Sequence, residues 1–528
     1  MLSPSELIIG VLKAKVDLLW FGGIGTYVKA ASESSADVGD RANDAHRING
    51  GAIGAMVVGE GANLGLTQAG RIEYAARGGR LNTDFIDNSA GVDCSDNEVN
   101  IKIALNPEVA AGHLDEAGRN ALLTAMTEDV AALVLRDNHL QTQALSIAER
   151  GGVACLPVYI RLIQLLETSP AGLDRDVEGL ATDDTLLQRA RGGQGLERPE
   201  LAVIMAYAKM AVYDALVGSA VCDDARLHPD LTAAFPPLMV ARFPAAIEQH
   251  RLRRELIATK LANELINRGG LTLPFQLAEE LGVSLDRVAA AFVAARELFD
   301  FRTLWSAIDT ADVPGTVQLD LHLAAIGALR TQMSDLLRAG RDATPSQLVA
   351  KLQSGIDRLA DGLDALLRPE PKAQLDALAK ALADAGSPPA IAAQLVRITA
   401  LDGAVGTGLL AADLNLDEPA VAAAYTDLGE ALGLDWAKNA AAALAPADPW
   451  ERLLQVGLIR DFEQLRLDLL ARITPAGGDP RTAASAWQIA HADAARRLAA
   501  LVNRARNGTA VTTAMLAHVA SEARLVLG

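Results

Sequence analysis

Apolar residues along this chain follow two rhythms, and the switch between them sets its organisation. Near the N-terminus they form short continuous runs that end in glycine. VDLLWF (Val16 to Phe21) closes on Gly22, Gly23 and Gly25, and AMVV (Ala55 to Val58) breaks into Gly59, Glu60, Gly61, Ala62 and Asn63. Such runs predict buried parallel strands whose ends open into ligand-facing loops. A second unit, NTDFIDNSAGVDCSD, again passes from a short apolar patch into Asn88, Ser89, Ala90 and Gly91. Two openings close in sequence predict one cleft at the carboxyl ends of neighbouring strands. Ahead of them, Ser3, Pro4 and Glu6 predict a helix with a capping box. The order helix, strand, glycine loop predicts a parallel α/β layer that lacks its beginning.

From about Pro107 onward the apolar spacing becomes three and four, the helical period. The clearest case is Gln347 to Leu367. Thr344, Pro345 and Gln347 predict its start, and Leu348, Leu352, Ile356, Leu359, Leu363 and Leu366 form one stripe near a heptad seam. Breaks rich in Gly, Pro, Asp or Ser recur, for example at Gly192–Gly195, Gly269–Gly270 and Pro446–Pro449. The pattern predicts a long helical region behind a partial α/β domain, and a chain that is predominantly helical.

Composition narrows the function classes. A chain of 528 residues exceeds one ordinary core, so more than one domain is expected. Half the residues are apolar and 4% aromatic, which favours helices packed through small aliphatic side chains. A net charge of −18 argues against nucleic-acid and anionic-membrane partners, which require a basic surface. Three cysteines without Cys-x-x-Cys spacing argue against a disulfide framework or structural zinc, so no metal site is expected. The apolar stretch from Leu201 is interrupted by Lys209 and Asp214 and reads as a buried helix, not a membrane span. No secretory signal is evident, and the expected compartment is the reducing cytoplasm.

Four constellations carry chemical possibilities. Gly59-x-Gly61-x-x-x-Gly65 superficially matches a dinucleotide phosphate finger, but it does not open directly into a helix; a ligand-lining loop of another kind or a structural turn are the alternatives. Asn63 and Asn88 offer neutral amides suited to carboxamides and ribose hydroxyls, or they satisfy their own turns. In Asp93 to Glu98, Ser95 is suited to holding a substrate carboxylate, while Ser95 or Asp96 also suits a helix cap. Cys94 reads as a small core residue. In His250 to Glu255, Arg251 and Glu255 are spaced to pair on one helix face, and the arginines form either an anion site or a salt-bridged face. Glu197 to Glu200 reads as a helix start.

Beyond spacing, DLLWFGGIGTYVKA, VGDRANDAHRING, VVGEGANLGLTQAGRIEYA and NTDFIDNSAGVDCSDNEVNIKI resemble the large bacterial NAD-specific glutamate dehydrogenases. The resemblance continues through GLERPELAVIMAYAK and HRLRRELIATKLANELINRGG and fades after about residue 310. It implies a partial Rossmann-like α/β N-terminal domain followed by a large all-α region. The implied divisions are 1–110, the C-terminal half of an NAD-binding domain; 111–340, the family's helical domain; and 341–528, a C-terminal helical bundle. The implied reaction, in amino-acid catabolism, converts L-glutamate, NAD and water into 2-oxoglutarate, ammonium and NADH.

The resemblance also implies site roles. Asn63 falls beside the nicotinamide ribose, Asn88 near the nicotinamide, and Ser95 at the substrate's side-chain carboxylate, while Gly22 and Gly23 face the cofactor from a strand end. The family's catalytic lysine and aspartate, its substrate domain and its first glycine-rich βαβ unit have no matching motif here, so no catalytic residue is assigned. The expectation is a C-terminal part of the dehydrogenase, inactive alone, that forms a homo-oligomer or associates with an upstream fragment of the same enzyme. The competing expectation is a non-catalytic helical assembly or regulatory module with a vestigial cofactor cleft.

Overall fold

The Ser3 hydroxyl accepts from the Glu6 amide while Glu6 Oε2 accepts from the Ser3 amide, and this reciprocal cap starts the first helix, α1 (Pro4–Leu12), as its sequence predicts. The computed structural model describes residues 2–340, 343–446, 449–508 and 510–528. Ala447 and Asp448 in the predicted break, and Arg341 at the predicted domain boundary, lie outside these. The chain is predominantly helical and divides into two units, Met1–Gln276 and Leu277–Gly528.

In the first unit, β1 (Leu18–Phe21) pairs in parallel with β4 (Val57–Glu60), Phe21 opposite Glu60. A second parallel pair joins β2 (Val28–Lys29) to β3 (Ile48–Asn49). The strands then give way to α2 (Gln68–Ala75), the single turn α3 (Asp84–Asp87) and α4 (Ser89–Ala110). Behind these come α5 (Thr127–Arg150), α6 (Arg198–Val217) and α7 (Arg253–Gly269). Leu12, Phe21, Val28, Val58, Leu66 and Tyr74 form the core that holds the strands.

Two expectations about the strands need correction. VDLLWF is not buried throughout: Leu18 and Trp20 are 55% and 58% exposed, while Phe21 packs into the core. Strand side chains alternate between faces, and only one face of β1 is covered. The second opening is also not a strand tip. Asp84–Asp87 forms a helical turn leading straight into α4, so Ser95 and Asp96 lie inside a helix and cap nothing. Cys94 is exposed on that helix and is not a core residue.

The stretch from Leu201 is the buried helix α6, which opens on a capping box of Glu197 and Glu200. No single helix among the described residues is long and apolar enough to cross a membrane.

In the second unit, α8 (Leu285–Leu298), α9 (Gly315–Ala339) and α10 (Pro345–Asp361) pack together, followed by α11 (Ala404–Leu414), α12 (Glu418–Leu432), α13 (Leu434–Ala442) and α14 (Pro449–Ile473). Thr344 and Gln347 form the predicted capping box of α10, and Leu348, Leu352, Ile356 and Leu359 are buried. The stripe does not continue as one helix. The helix ends at Gly362, and Leu363 and Leu366 lie on a separate turn outside the buried core.

A charged cluster sits inside this unit. Arg338 donates to Glu463 across 2.8 Å, Lys438 pairs with both Glu463 and Asp402, and Arg466 donates to Asp435 across 2.6 Å beneath the Tyr425 ring. Burial, then the neighbouring Glu463 charge, raises the Asp335 carboxyl above its ordinary range.

Candidate functional site

The end of β4 is held by a buried ion cluster. Glu60 is fully buried and accepts from Arg71 Nε at 2.7 Å and from Arg71 Nη2 at 2.9 Å. Its Oε1 also accepts from the Leu66 amide. Arg71 lies 3.2 Å from Asp84, and Asp84 Oδ2 accepts from the Leu64 amide at 2.8 Å. Burial is the larger influence on Glu60 and raises its carboxyl above the usual range, against the lowering effect of Arg71. These bonds hold the loop in a costly shape: Leu64 has a φ of 60°, a left-handed conformation unusual for a branched residue. Asn63 stands immediately before it.

A second chain of bonds positions Asn88. Arg198, at the start of α6, donates to Asn82 Oδ1 at 2.5 Å; Asn82 donates to Asp87 Oδ1 at 2.6 Å; Asp87 Oδ2 accepts from the Glu60 amide at 3.0 Å. Asn138 and Gln141 of α5 both donate to the Ser89 hydroxyl, at 2.9 and 2.8 Å. The result is a direct contact: Asn88 Nδ2 donates to Asn63 Oδ1 across 2.8 Å. Asn63 Nδ2 and Asn88 Oδ1 have no partner among the described residues, which leaves one free donor and one free acceptor at the mouth of a cavity.

That cavity has a volume of about 390 Å³ and is lined by α3 to α7 as well as Asn63. Asp93 and Asp96 come from α4, Asp137 from α5, Lys209 from α6, and Asn263 and Asn267 from α7. Asp137 is bonded to Lys260 at 2.7 Å. Burial, then the Asp137 charge, raises the Asp93 carboxyl. Burial draws the Lys209 ammonium down to about 8. Among the described residues there is no cluster of His, Cys, Asp and Glu arranged to hold a metal ion.

The structure thus brings Asn63 and Asn88 together but not every predicted residue. Ser95 is exposed, donates to the Gly91 carbonyl at 3.3 Å, and lies outside the cavity lining. Gly22 and Gly23 are exposed at the end of β1 and also lie outside it. A Cβ added at Gly59 or Gly61 would come within 2.5 or 2.4 Å of the Trp20 ring, so packing of that indole accounts for both glycines. The Arg251–Glu255 pairing is absent, because α7 starts only at Arg253; Arg254 instead pairs with Asp223, and Arg253 lies 3.7 Å from Glu248.

Sequence reading missed the far side of the cavity. Lys209, breaking an otherwise apolar helix, is a visible signal of a polar neighbour as well as evidence against a membrane span. Asn263 and Asn267, four apart on one helix face, were another.

The family described as Bacterial NAD-glutamate dehydrogenase, catalytic domain, matches residues 1–148, and that described as Glutamate dehydrogenase, C-terminal, matches residues 193–524. An NAD-specific glutamate dehydrogenase of Halomonas elongata is 38% identical over 485 residues, covering 92% of this chain and 30% of that protein. The enzyme of the same name from Pseudomonas aeruginosa is 41% identical over 477 residues, 88% of this chain and 29% of that protein. The Mycobacterium tuberculosis enzyme is 36% identical over 495 residues, 89% of this chain and 29% of that protein. The chain therefore spans about 30% of the length of these relatives. It belongs to the family of bacterial NAD-specific glutamate dehydrogenases.

Proposed function

We propose that the chain supplies the nicotinamide-side wall of an NAD-dependent glutamate dehydrogenase, with residues 1–110 as the C-terminal half of a Rossmann-like domain and helical regions at 111–340 and 341–528. The observation that carries this reading is the 2.8 Å bond between Asn88 and Asn63 beside a polar cavity. The free amide nitrogen of one and free amide oxygen of the other form the set that a carboxamide or paired ribose hydroxyls require. In this reading Asn63 holds the nicotinamide ribose and Asn88 its carboxamide. Gly22 and Gly23 leave backbone room for the cofactor at the end of β1, and Ser95, on the exposed face of α4 outside this cavity, is assigned to the substrate's side-chain carboxylate by the family resemblance alone. NAD, when bound, accepts the hydride released as L-glutamate becomes 2-oxoglutarate.

The chain's own part is orientation. The Glu60–Arg71–Asp84 cluster fixes the loop before the reaction, so no reorganisation is needed when the ligand arrives. No acid–base residue is assigned here; that chemistry is proposed to reside in other segments of the longer enzyme, reached by oligomerisation or association. The test is titration of the purified chain with NADH, followed by fluorescence, beside an assay for glutamate-dependent NAD reduction. Weak saturable NADH binding without turnover is expected. Turnover by the chain alone would overturn the assignment of acid–base chemistry elsewhere, and absence of NADH binding would favour a non-catalytic helical module.

A further inference from the structure

The leucine stripe of α10 has a tail that the core does not use. Leu348, Leu352, Ile356 and Leu359 are buried, but Leu363 and Leu366 stay half-buried on the turn that follows. Together with Leu367, Leu375 and Leu378 they form the apolar wall of a cavity of about 260 Å³ inside the second unit. Leu375 and Leu378 come from the helix Pro369–Asp384, which buries only Leu375 and Leu382 among its 16 residues and is therefore thinly held. A second cavity of about 250 Å³ shares Leu378, Thr399 and Asp402 with the first, so the apolar space continues past that helix.

In the polar part of the lining every charged side chain is matched. Arg368 donates to Asp427 at 3.0 Å, Lys438 pairs with Asp402, and Arg466 donates to Asp435 at 2.6 Å. The neutral groups are not matched. Tyr425 of α12 is 7% exposed, yet its hydroxyl has no hydrogen-bond partner among the described residues and keeps accessible surface. Burial pushes its phenol up, so it stays protonated and can both donate and accept. Asn439, half-buried on α13, likewise has a side-chain amide without a partner among the described residues. Unpaired neutral donors and acceptors call for a neutral polar group. A charged one would enter a partly desolvated space in which each fixed charge already has its counter-charge.

We propose that this cavity is a binding site for a small neutral amphipathic molecule, its aliphatic body among the leucines and its amide or hydroxyl head on Tyr425 and Asn439. A dry cavity of about 150 Å³ holds benzene, so this one suits a ligand of roughly ten non-hydrogen atoms. The ligand joins the helix Pro369–Asp384 to α12 and α13, and occupancy therefore stabilises the second unit. The site shares no residue with the Asn63–Asn88 cavity, and the inference is independent of the cofactor reading.

The test titrates the full chain with octanamide, which is of that size, and with its charged counterparts octanoate and octylammonium, by ligand-observed NMR and by thermal melting. Octanamide is expected to bind saturably and to raise the midpoint of the transition assigned to residues 277–528, with both charged probes about tenfold weaker or more. Tyr425→Phe keeps the ring that lies over Arg466 and removes only the hydroxyl. It is expected to weaken octanamide about three- to tenfold, the scale of one neutral hydrogen bond, and to leave the ligand-free midpoint unchanged. Leu378→Trp fills the apolar space and is expected to abolish binding; should it fail to fold, the wild-type probe series and Tyr425→Phe decide the matter. Absence of saturable octanamide binding, a charged probe that binds as tightly, or undiminished octanamide affinity in Tyr425→Phe or in folded Leu378→Trp would each overturn the proposal. So would a lowered ligand-free midpoint in Tyr425→Phe, which would give the hydroxyl a structural task instead.

Discussion

Asn88 Nδ2 donates to Asn63 Oδ1 across 2.8 Å, and the two residues reach this contact by independent supports. Asn63 is set by the Glu60–Arg71–Asp84 cluster and the left-handed Leu64; Asn88 is set by Asp87, Asn138 and Gln141. If the pair acts as one unit on NADH, Asn63→Ala and Asn88→Ala should each weaken binding several-fold. The double variant should lose less than the product of the two, with a coupling of about 0.5–3 kcal/mol. Independent, multiplicative losses in the NADH titration would show that the amides do not work together.

Arg71 is the only cation drawn into the Glu60–Asp84 cluster by the bonds described above, so its removal leaves two carboxylates without a counter-charge. Arg71→Met should cost about 3–5 kcal/mol, the scale for breaking a buried pair. It should also release the strained Leu64 loop and weaken NADH binding. Denaturant unfolding of the variant checks the first effect. A loss below about 1 kcal/mol would mean that the cluster is far better solvated than its burial implies.

Lys438 plays the corresponding part in the second unit, where it pairs with Glu463 and Asp402. Its replacement by Met should cost less, about 1–3 kcal/mol, because Glu463 keeps Arg338 and only the partly exposed Asp402 loses its cation. Calorimetry should show the loss in the transition assigned to residues 277–528. An unchanged thermogram would refute a structural role for the pair.

Lys209 should behave in the opposite way, because it has no partner to strand. Burial lowers its ammonium from 10.5 to about 8, so between these values the unfolded chain binds more protons than the folded one. Stability from this group therefore rises with pH across that window, and the full cost of the buried charge is felt below about pH 8. Lys209→Met should raise the melting midpoint at about pH 6.5 by roughly 2–4 °C, and the gain should shrink towards zero by about pH 10. A midpoint lowered at every pH would contradict this.

What the sequence revealed was mostly local. The capping boxes at Ser3, Glu197 and Thr344 are legible because each is completed within three residues. The partnership of Asn63 with Asn88 was suggested by two polar openings, although one lies at a helix start and not at a strand tip. The exposed face of β1 was not legible, since an apolar run carries no record of which of its faces is covered. Neither Ser95 nor Asp96 caps a helix, because α4 begins earlier, at Ser89, whose hydroxyl is taken up by α5. Lys209 and Asn267 share a cavity only because α6 and α7 pack side by side, and no local spacing encodes that meeting.

The most direct test of the nicotinamide wall is saturation-transfer NMR of NADH on the full chain, comparing wild type with Asn63→Ala. Strong transfer to the nicotinamide and adjoining ribose protons, reduced in the variant, is the predicted result. Transfer confined to the adenine, or a nicotinamide signal indifferent to Asn63, would contradict it.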